Sequence, residues 1–321
     1  MLFRKKPLIS IIVPSFNQGK FIERAILSIL NQPYQNKELI VMDGGSTDET
    51  VKILKKYNNQ ITWVSEPDEG YADAVNKALK LANGEIIGIQ SSDDYYEKNI
   101  FSTVEKAFTK NKQIGMVSAR RFFIDADGNI TSKDSIRNSQ IFTFADILTQ
   151  NYIPPQDSTF VKKECITSVG GLSINVDYCA DVDLWMRILG NGVPGLLLGN
   201  QYWSYRSFHD EQRASTGATK FAEDAKKSVD NWINSDQFPE ALGTEIKTIQ
   251  AFGFLRRAYY YNSIGNYEQT KKDLEAALEL APKYMSVPNY VNLFQKHNIA
   301  TDNSSFVLDL PYFYPKNFHF S

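Results

Sequence analysis

The chain has 321 residues, 42% of them hydrophobic and 22% charged, with 35 Lys and Arg against 37 Asp and Glu for a formal charge of -2. That length carries one large domain with a smaller appendage around a real core, and the charge balance leaves no cationic excess to follow a phosphate backbone, which argues against a nucleic-acid partner. No apolar run reaches the length of a membrane span, and the two cysteines, Cys165 and Cys179, lack metal-ligand spacing and fall short of a disulfide framework, so they read as buried thiols in a reducing compartment.

Arg4, Lys5 and Lys6 precede the run Leu8 to Val13, which is too short for a signal peptide and stops at Pro14 without a small-residue cleavage site. A cytoplasmic protein is expected, whose basic N-terminus can rest peripherally on an anionic membrane surface. From Leu8 to Asp94, strand-like runs at 9–13, 38–42, 61–64 and 85–90 alternate with helical stretches at 21–30, 50–57 and 71–81. The alternation predicts an α/β fold with a mainly parallel sheet covered on both faces. Ile22, Ile26, Ile29 and Leu30 on the first helix, and Ala74, Ala78, Leu79 and Leu81 on the third, fall at helical spacing and read as core. Beyond Asp94 the signals mix: a helix at 99–108, a strand at 115–119 and a hairpin turn at Asp125-Ala126-Asp127-Gly128-Asn129.

Residues 244–283 read as two helices joined at Gly265-Asn266. Ala258, Tyr261, Gly265, Tyr267, Leu274, Ala277 and Pro282 fall in one register, so this hairpin resembles a single tetratricopeptide unit, with Thr270 where a small Ala is usual. Such units need neighbours to bury their faces, and one copy is expected to pack on the main domain, on a second copy of the chain or on a protein partner. The chain is thus read as a domain at 1–220, a helical extension at 221–300 and an aromatic tail at 301–321, where Phe306, Tyr312, Phe313, Tyr314, Phe318 and Phe320 wrap over the domain or meet a partner.

Polar segments stand where loops follow strands: Pro14-Ser15-Phe16-Asn17, Asp43-Gly44-Gly45-Ser46-Thr47-Asp48, Ser65-Glu66-Pro67-Asp68-Glu69-Gly70 and Ser91-Ser92-Asp93-Asp94. In a parallel sheet these loops converge on one edge, outside the carboxyl ends of the strands, and can build one pocket. Two adjacent carboxylates at a strand end, Asp93 and Asp94, stand where a divalent cation and a diphosphate can sit. Each segment also has a plain reading. Phe16 is either a core aromatic or a cover for a nucleobase, Asp73 either complements a helix dipole or serves a ligand, and the Asp43 segment is either a tight turn into a helix capped by Ser46 or Thr47 or a place where backbone approaches a ligand.

Together with Ala180-Asp181-Val182-Asp183-Leu184-Trp185-Met186-Arg187, these motifs in this order resemble the family 2 glycosyltransferases, over roughly residues 7–215. The resemblance implies the nucleotide-sugar-binding GT-A fold, a nucleoside-diphosphate sugar donor, a divalent metal (Mn²⁺ or Mg²⁺) and inversion at the anomeric centre. It implies that Pro14, Phe16, Asn17 and Asp43 line the nucleoside pocket, with Asp43 accepting a hydrogen bond from the base, and that Asp73 and Asp93 help hold the nucleotide. Asp94 is matched to direct metal coordination, with His209 completing the metal or phosphate shell. Asp181 is matched to the catalytic base and Asp183 stands second; many relatives have Glu-Asp where this chain has Ala180-Asp181. The plain reading of Asp181 is a helix cap, which is compatible with catalysis because a helix N-terminus favours an ionised carboxylate. Gln156 is placed on the acceptor side, against the plain reading of a buried polar strand residue, and Arg213 against the diphosphate.

The expected activity is transfer of one sugar, with UDP-sugar favoured over GDP or dTDP donors, to a hydroxyl of a glycan or lipid-linked acceptor in cell-surface polysaccharide synthesis. Nothing resembles the multi-span segments or the extra acceptor-site motif of processive polymerising relatives. A sugar nucleotidyltransferase would show a basic Gly-rich phosphate loop, which Pro14-Ser15-Phe16-Asn17-Gln18-Gly19 lacks. A non-catalytic sugar-nucleotide-binding scaffold recruiting partners through its helical tail is the remaining alternative.

Overall fold

A computed structural model describes residues 6–209 and 217–299; Arg213, the basic Arg4 and Lys5, and the aromatic tail lie outside the described residues. The strands are β1 (Ile9–Ser15), β2 (Lys37–Asp43), β3 (Thr62–Ser65), β4 (Ile86–Ile89), β5 (Tyr95–Tyr96), β6 (Met116–Ile124), β7 (Ile130–Lys133), β8 (Gln140–Phe142), β9 (Thr159–Lys162) and β10 (Gly195–Ser207). The helices are α1 (Ile22–Leu30), α2 (Thr50–Lys56), α3 (Tyr71–Leu81), α4 (Ile100–Lys110), α5 (Phe144–Leu148), α6 (Lys163–Ser168), α7 (Ala180–Gly190), α8 (Ala218–Ile233), α9 (Ile246–Ser263), α10 (Tyr267–Leu280) and α11 (Pro288–Lys296). They divide into two compact units, one holding 6–141, 154–177 and 193–209, the other 142–153, 178–192 and 217–299.

The first unit is built on a ten-stranded sheet in the order β3-β2-β1-β4-β9-β6-β10-β5, with β7 beside β6 and β8 beside β10. β1 pairs in parallel with β2 and β4, and β2 with β3. β9 runs antiparallel to β4 and β6, so the sheet is parallel on the side of β1 and mixed beyond it. Ile9, Ile11, Ile12 and Val13 are fully buried along β1, as befits a strand covered on both faces, which reads as a continuous apolar run rather than an alternation. The helical faces predicted as core are buried at Ile22, Ile26, Ile29, Ala74, Ala78 and Leu79, while Leu81 at the end of α3 is exposed. The Asp125 turn closes the β6–β7 hairpin, with Asp125 N donating to Asn129 O at 3.0 Å and Gly128 at φ +90°.

In the second unit α9 and α10 form the expected hairpin at Gly265-Asn266. Ala258, Leu274 and Ala277 are fully buried, Tyr267 is exposed, and Thr270 is buried with its hydroxyl donating to Asn266 O at 2.7 Å, which is how a polar residue sits at the small-residue position. Arg257 of α9 forks onto Asp273 of α10 through two 2.8 Å bonds. The two cysteines are free buried thiols.

Candidate active site

Parallel pairing from β3 to β4 puts the loops after those strands on one edge of the sheet unit. Asp43, the last residue of β2, is buried; its Oδ2 accepts from Ser46 N at 2.9 Å and Ser65 Oγ at 2.6 Å, and its Oδ1 accepts from Ser46 Oγ. A carboxylate has about four acceptor positions, so three internal donors leave Oδ1 room for one more. Gly45 adopts φ +82°. A Cβ at Gly44 would stand 2.7 Å from Asp68 Oδ2 and 3.3 Å from the Phe16 ring, so glycine is what allows the β1, β2 and β3 loops to close together here. Phe16 is 59% exposed, which rules out the core reading and leaves a bare aromatic ring next to Gly44.

Asn17 sits in the left-handed region at φ +52° and joins two loops: its N donates to Ser46 Oγ at 2.7 Å and its Oδ1 accepts from Thr47 N at 2.9 Å. Pro14 is the penultimate residue of β1. The start of α2 is held by Asp48, which accepts from Thr50 N at 2.9 Å and Gly19 N at 2.8 Å, rather than by Ser46 or Thr47. Asp73, in the first turn of α3, accepts from Glu69 N at 3.1 Å and pairs with Lys77 at 3.0 Å; that backbone bond and then Lys77 hold its carboxyl below the usual range.

After β4 the two aspartates part company. Asp93 Oδ2 meets His209 Nε2 at 3.2 Å, and the imidazole stacks on Phe21 with ring centres 4.5 Å apart. Asp94 turns inward, its Oδ1 accepting from Ser207 N at 2.8 Å; burial, then the charges of Asp93 and Asp157, push its carboxyl well above the usual range. Ser207 Oγ donates to Asp93 O at 2.6 Å, and Arg24 from α1 donates to the same carbonyl at 3.2 Å and to Ser207 Oγ at 3.1 Å. Arg24 and Ser207 thus fix the acidic loop to β10. Buried Asp157 is held the other way: Arg121 at 3.2 Å, then Arg206, keep its carboxyl below the usual range despite burial, and Ser204 Oγ adds a bond at 2.6 Å. Gln156 bridges the same region, donating to Ile89 O while its Oε1 accepts from Ser91 Oγ at 3.5 Å.

Among the described residues no group of three or more His, Cys, Asp and Glu side chains forms a metal cage. The Asp93 carboxylate suits either Mn²⁺ or Mg²⁺, ions commonly held by one or two protein carboxylates and completed by substrate phosphates and water, while the His209 imidazole beside it suits Mn²⁺ better than the harder Mg²⁺.

The second unit carries Asp181 and Asp183 in the first turn of α7, whose N-cap, Cys179, makes no side-chain capping bond. Asp183 is buried and locked to Arg187 through bonds of 2.9 and 2.6 Å, an arrangement that leaves it poorly placed to take a substrate proton. Asp181 is only half-buried. Sequence reasoning did not single out Arg24, Ser207, Asp157 or Arg121; Asp157 follows Gln156 and Ser207 stands two residues before His209, whereas no local signal marks Arg24 or Arg121.

Residues 10–162 match the family model described as Glycosyl transferase family 2. A chondroitin synthase of Escherichia coli is 33% identical over 132 residues, 40% of this chain and only 19% of that relative's length. The crystal structure of residues 1–349 of TarS from S. aureus in complex with UDP-GlcNAc superposes with a TM-score of 0.65 at 17% identity, covering 97% of this chain and 100% of that one. The mannosyltransferase PcManGT from Pyrobaculum calidifontis, in complex with GDP-Man and Mn²⁺, gives 0.57 at 19% identity, covering 92% and 80%.

Proposed function

Since residues 10–162 form a glycosyl transferase family 2 domain on the GT-A fold, we propose that the protein is an inverting glycosyltransferase that moves one sugar from a nucleoside-diphosphate donor to a hydroxyl of a glycan or lipid-linked acceptor in cell-surface polysaccharide synthesis. The observation that carries this reading is the single sheet edge at which exposed Phe16, the spare acceptor of Asp43 and the Asp93–His209 pair are assembled. Phe16 covers the base and Asp43 Oδ1 accepts one N–H from it. One remaining acceptor position suits the single imide N–H of uracil better than the paired N–H groups of guanine, which favours a UDP-sugar. Pro14 and Asn17 shape that wall of the pocket, and Asp73 holds the strand-to-helix turn beside it.

The chemistry follows from charge. The acceptor hydroxyl attacks the anomeric carbon from the face opposite the diphosphate, Asp181 takes the hydroxyl proton, and the bond from the anomeric carbon to the phosphate oxygen breaks. A divalent cation would neutralise the negative charge gathering on the leaving diphosphate. Asp93 and His209 would hold it in place of the expected Asp94, whose buried carboxylate accepts from Ser207 N behind them, and Gln156 keeps the end of β4 in place. The division into a transferase at 1–220 and a helical extension at 221–300 that meets a second copy or a protein partner belongs to the same proposal. So does a cytoplasmic setting at the membrane face, supported by the two free thiols; among the described residues no helix is long and apolar enough to cross a membrane.

Calorimetric titration of UDP and GDP with and without Mn²⁺, in the wild type and in Asp93→Ala, tests the proposal. Metal-dependent binding of UDP that Asp93→Ala abolishes is expected. Absence of nucleotide binding under every condition would overturn it.

A further inference from the structure

The start of α1 carries two side chains whose contacts lie far from it in sequence. Phe21, the N-cap, and Arg24 stand three residues apart and so lie on one side of the helix. Phe21 lays its ring on the His209 imidazole with centres 4.5 Å apart and planes 22° from parallel. Arg24 donates from Nη2 to Asp93 O at 3.2 Å and to Ser207 Oγ at 3.1 Å. Asp93 and His209 are themselves joined at 3.2 Å. One turn of α1 therefore touches both members of that pair, His209 through its ring and Asp93 through its main chain.

This turn is firmly seated. Ile22, Ala25, Ile26 and Ile29 are fully buried and hold the helix on the sheet, and the residues before it are tied by Gly19 N to Asp48 Oδ2 at 2.8 Å and by Gln18 N to Thr50 Oγ1 at 2.9 Å. The guanidinium carbon of Arg24 lies 4.5 Å from the centre of the Tyr95 ring, which stacks in turn on Tyr205 at 4.5 Å. Pairing of β5 with β10 sets those two tyrosines opposite each other, and Tyr205 Oη donates to Glu97 Oε2 at 2.5 Å. Packing of this kind restricts the rotamers of Arg24 and keeps its donors aimed at the acidic loop. Ser207 Oγ donates to the same Asp93 carbonyl at 2.6 Å. Two donors occupy both lone pairs of that oxygen, so the group Asp93 has to offer a cation is its carboxylate.

We propose that Phe21 and Arg24 are positioning residues that set the spacing and aim of the Asp93 carboxylate and the His209 imidazole for a divalent cation. The proposal rests on the reading of that pair as the metal-holding groups. The pair comes from chain segments 116 positions apart, and a helix that grips both removes in advance the freedom they would otherwise lose on binding. Partners that orient metal ligands in this way are typically worth about 10- to 100-fold in affinity. Charge alone predicts the reverse. A guanidinium beside a cation site repels the cation, so an Arg24 that acted only through its charge would tighten metal binding when removed.

The test is calorimetric titration of UDP into the full chain in EDTA and over a series of Mn²⁺ concentrations. Arg24→Met should raise the Mn²⁺ concentration that gives half of the metal-dependent gain by about 10-fold, with UDP affinity in EDTA within about twofold of the wild type. Arg24→Lys keeps the charge and loses the planar fork, and should shift the requirement in the same direction. Phe21→Leu keeps an apolar side chain at the helix start and should raise it by about 2- to 10-fold, the range of one aromatic pair. It reads the His209 half of the pair independently should Arg24→Met fold poorly, which thermal melting without nucleotide would reveal. A Mn²⁺ requirement unchanged or lowered in both Arg24→Met and Phe21→Leu would overturn the proposal. So would losses in EDTA as large as those in Mn²⁺, which would make the two residues part of the nucleotide site. A wild type whose UDP binding ignores Mn²⁺ would instead remove the metal reading itself, and that outcome is seen before any variant is compared.

Discussion

Phe16→Ala separates a ligand-binding aromatic from a structural one. The ring is 59% exposed, so less than half of its area is removed from water on folding. Full burial of a Phe side chain contributes about 1.5–3 kcal/mol, and the fraction buried here is therefore worth about 1 kcal/mol of stability. Stacking of an aromatic side chain on a base contributes roughly 1–3 kcal/mol by alanine substitution, which corresponds to a weakening of UDP binding by roughly 5- to 150-fold. Calorimetric titration of UDP in the presence of Mn²⁺ reads the second quantity, and urea denaturation without nucleotide reads the first. Phe16→Tyr preserves the π face and should keep wild-type affinity. If Phe16→Ala bound UDP within about twofold of the wild type, or lost far more stability than affinity, the base would not lie on this ring.

Asp181→Asn should lower turnover by roughly 10²–10⁴-fold while leaving the Kd for UDP unchanged; parallel losses in both would mean that the residue serves the donor rather than the proton. Asp273→Ala removes the carboxylate that answers Arg257 in the α9–α10 hairpin and should cost about 3 kcal/mol in urea unfolding, as for one partner of a buried pair, whereas an unchanged midpoint would show the bond to be dispensable. Burial pushes the thiols of Cys165 and Cys179 up to about 11 and about 12. Both remain protonated in the folded chain while the unfolded chain loses those protons from about pH 8.5. Stability should therefore be intact below that pH and fall as pH rises towards the folded values, by at most about 1.4 kcal/mol per pH unit for each thiol. Native protein alkylated at pH 8 as fast as in urea would contradict this.

The first half of the unit built on β1 was legible because its strands are covered on both faces and its helices on one, so period and boundary agree. The expected helix at 71–81 is α3, and the expected strand at 9–13 is the buried body of β1. Beyond Asp94 that agreement fails for physical reasons. β6 runs on to Ile124 because β7 and β10 supply partners for Phe122 and Phe123, and β10 extends over thirteen residues although Gly199, Asn200 and Gln201 interrupt any apolar period. The placement of the candidate site was legible where a motif stands at a strand end, as with Asp43 at the end of β2 and Asp93 after β4. It was not legible where the function of a residue depends on a distant partner. Arg24 lies 183 positions from Ser207, and nothing in the helix around it marks it as the anchor of an acidic loop.

The same reasoning bears on the helices after residue 217. Read in sequence they form an appendage behind a transferase, yet they belong to the compact unit that carries α7 and its Asp181. The end of α7 is shaped to receive them: a Cβ at Gly190 would stand 2.3 Å from the Trp232 ring of α8, and Phe144 and Phe238 meet that ring edge-on at 5.5 and 5.0 Å. At the other end Cys179 Sγ donates to the Phe221 carbonyl of α8 at 3.5 Å. Both ends of the helix bearing the proposed base therefore pack on residues of α8, which lies outside the 10–162 family match. The groups proposed to hold the nucleotide and its metal, Phe16, Asp43, Asp93 and His209, all lie in the other unit. Perturbing the C-terminal helices should accordingly be felt in turnover before it is felt in nucleotide affinity, the opposite of what an independent recruitment module would produce.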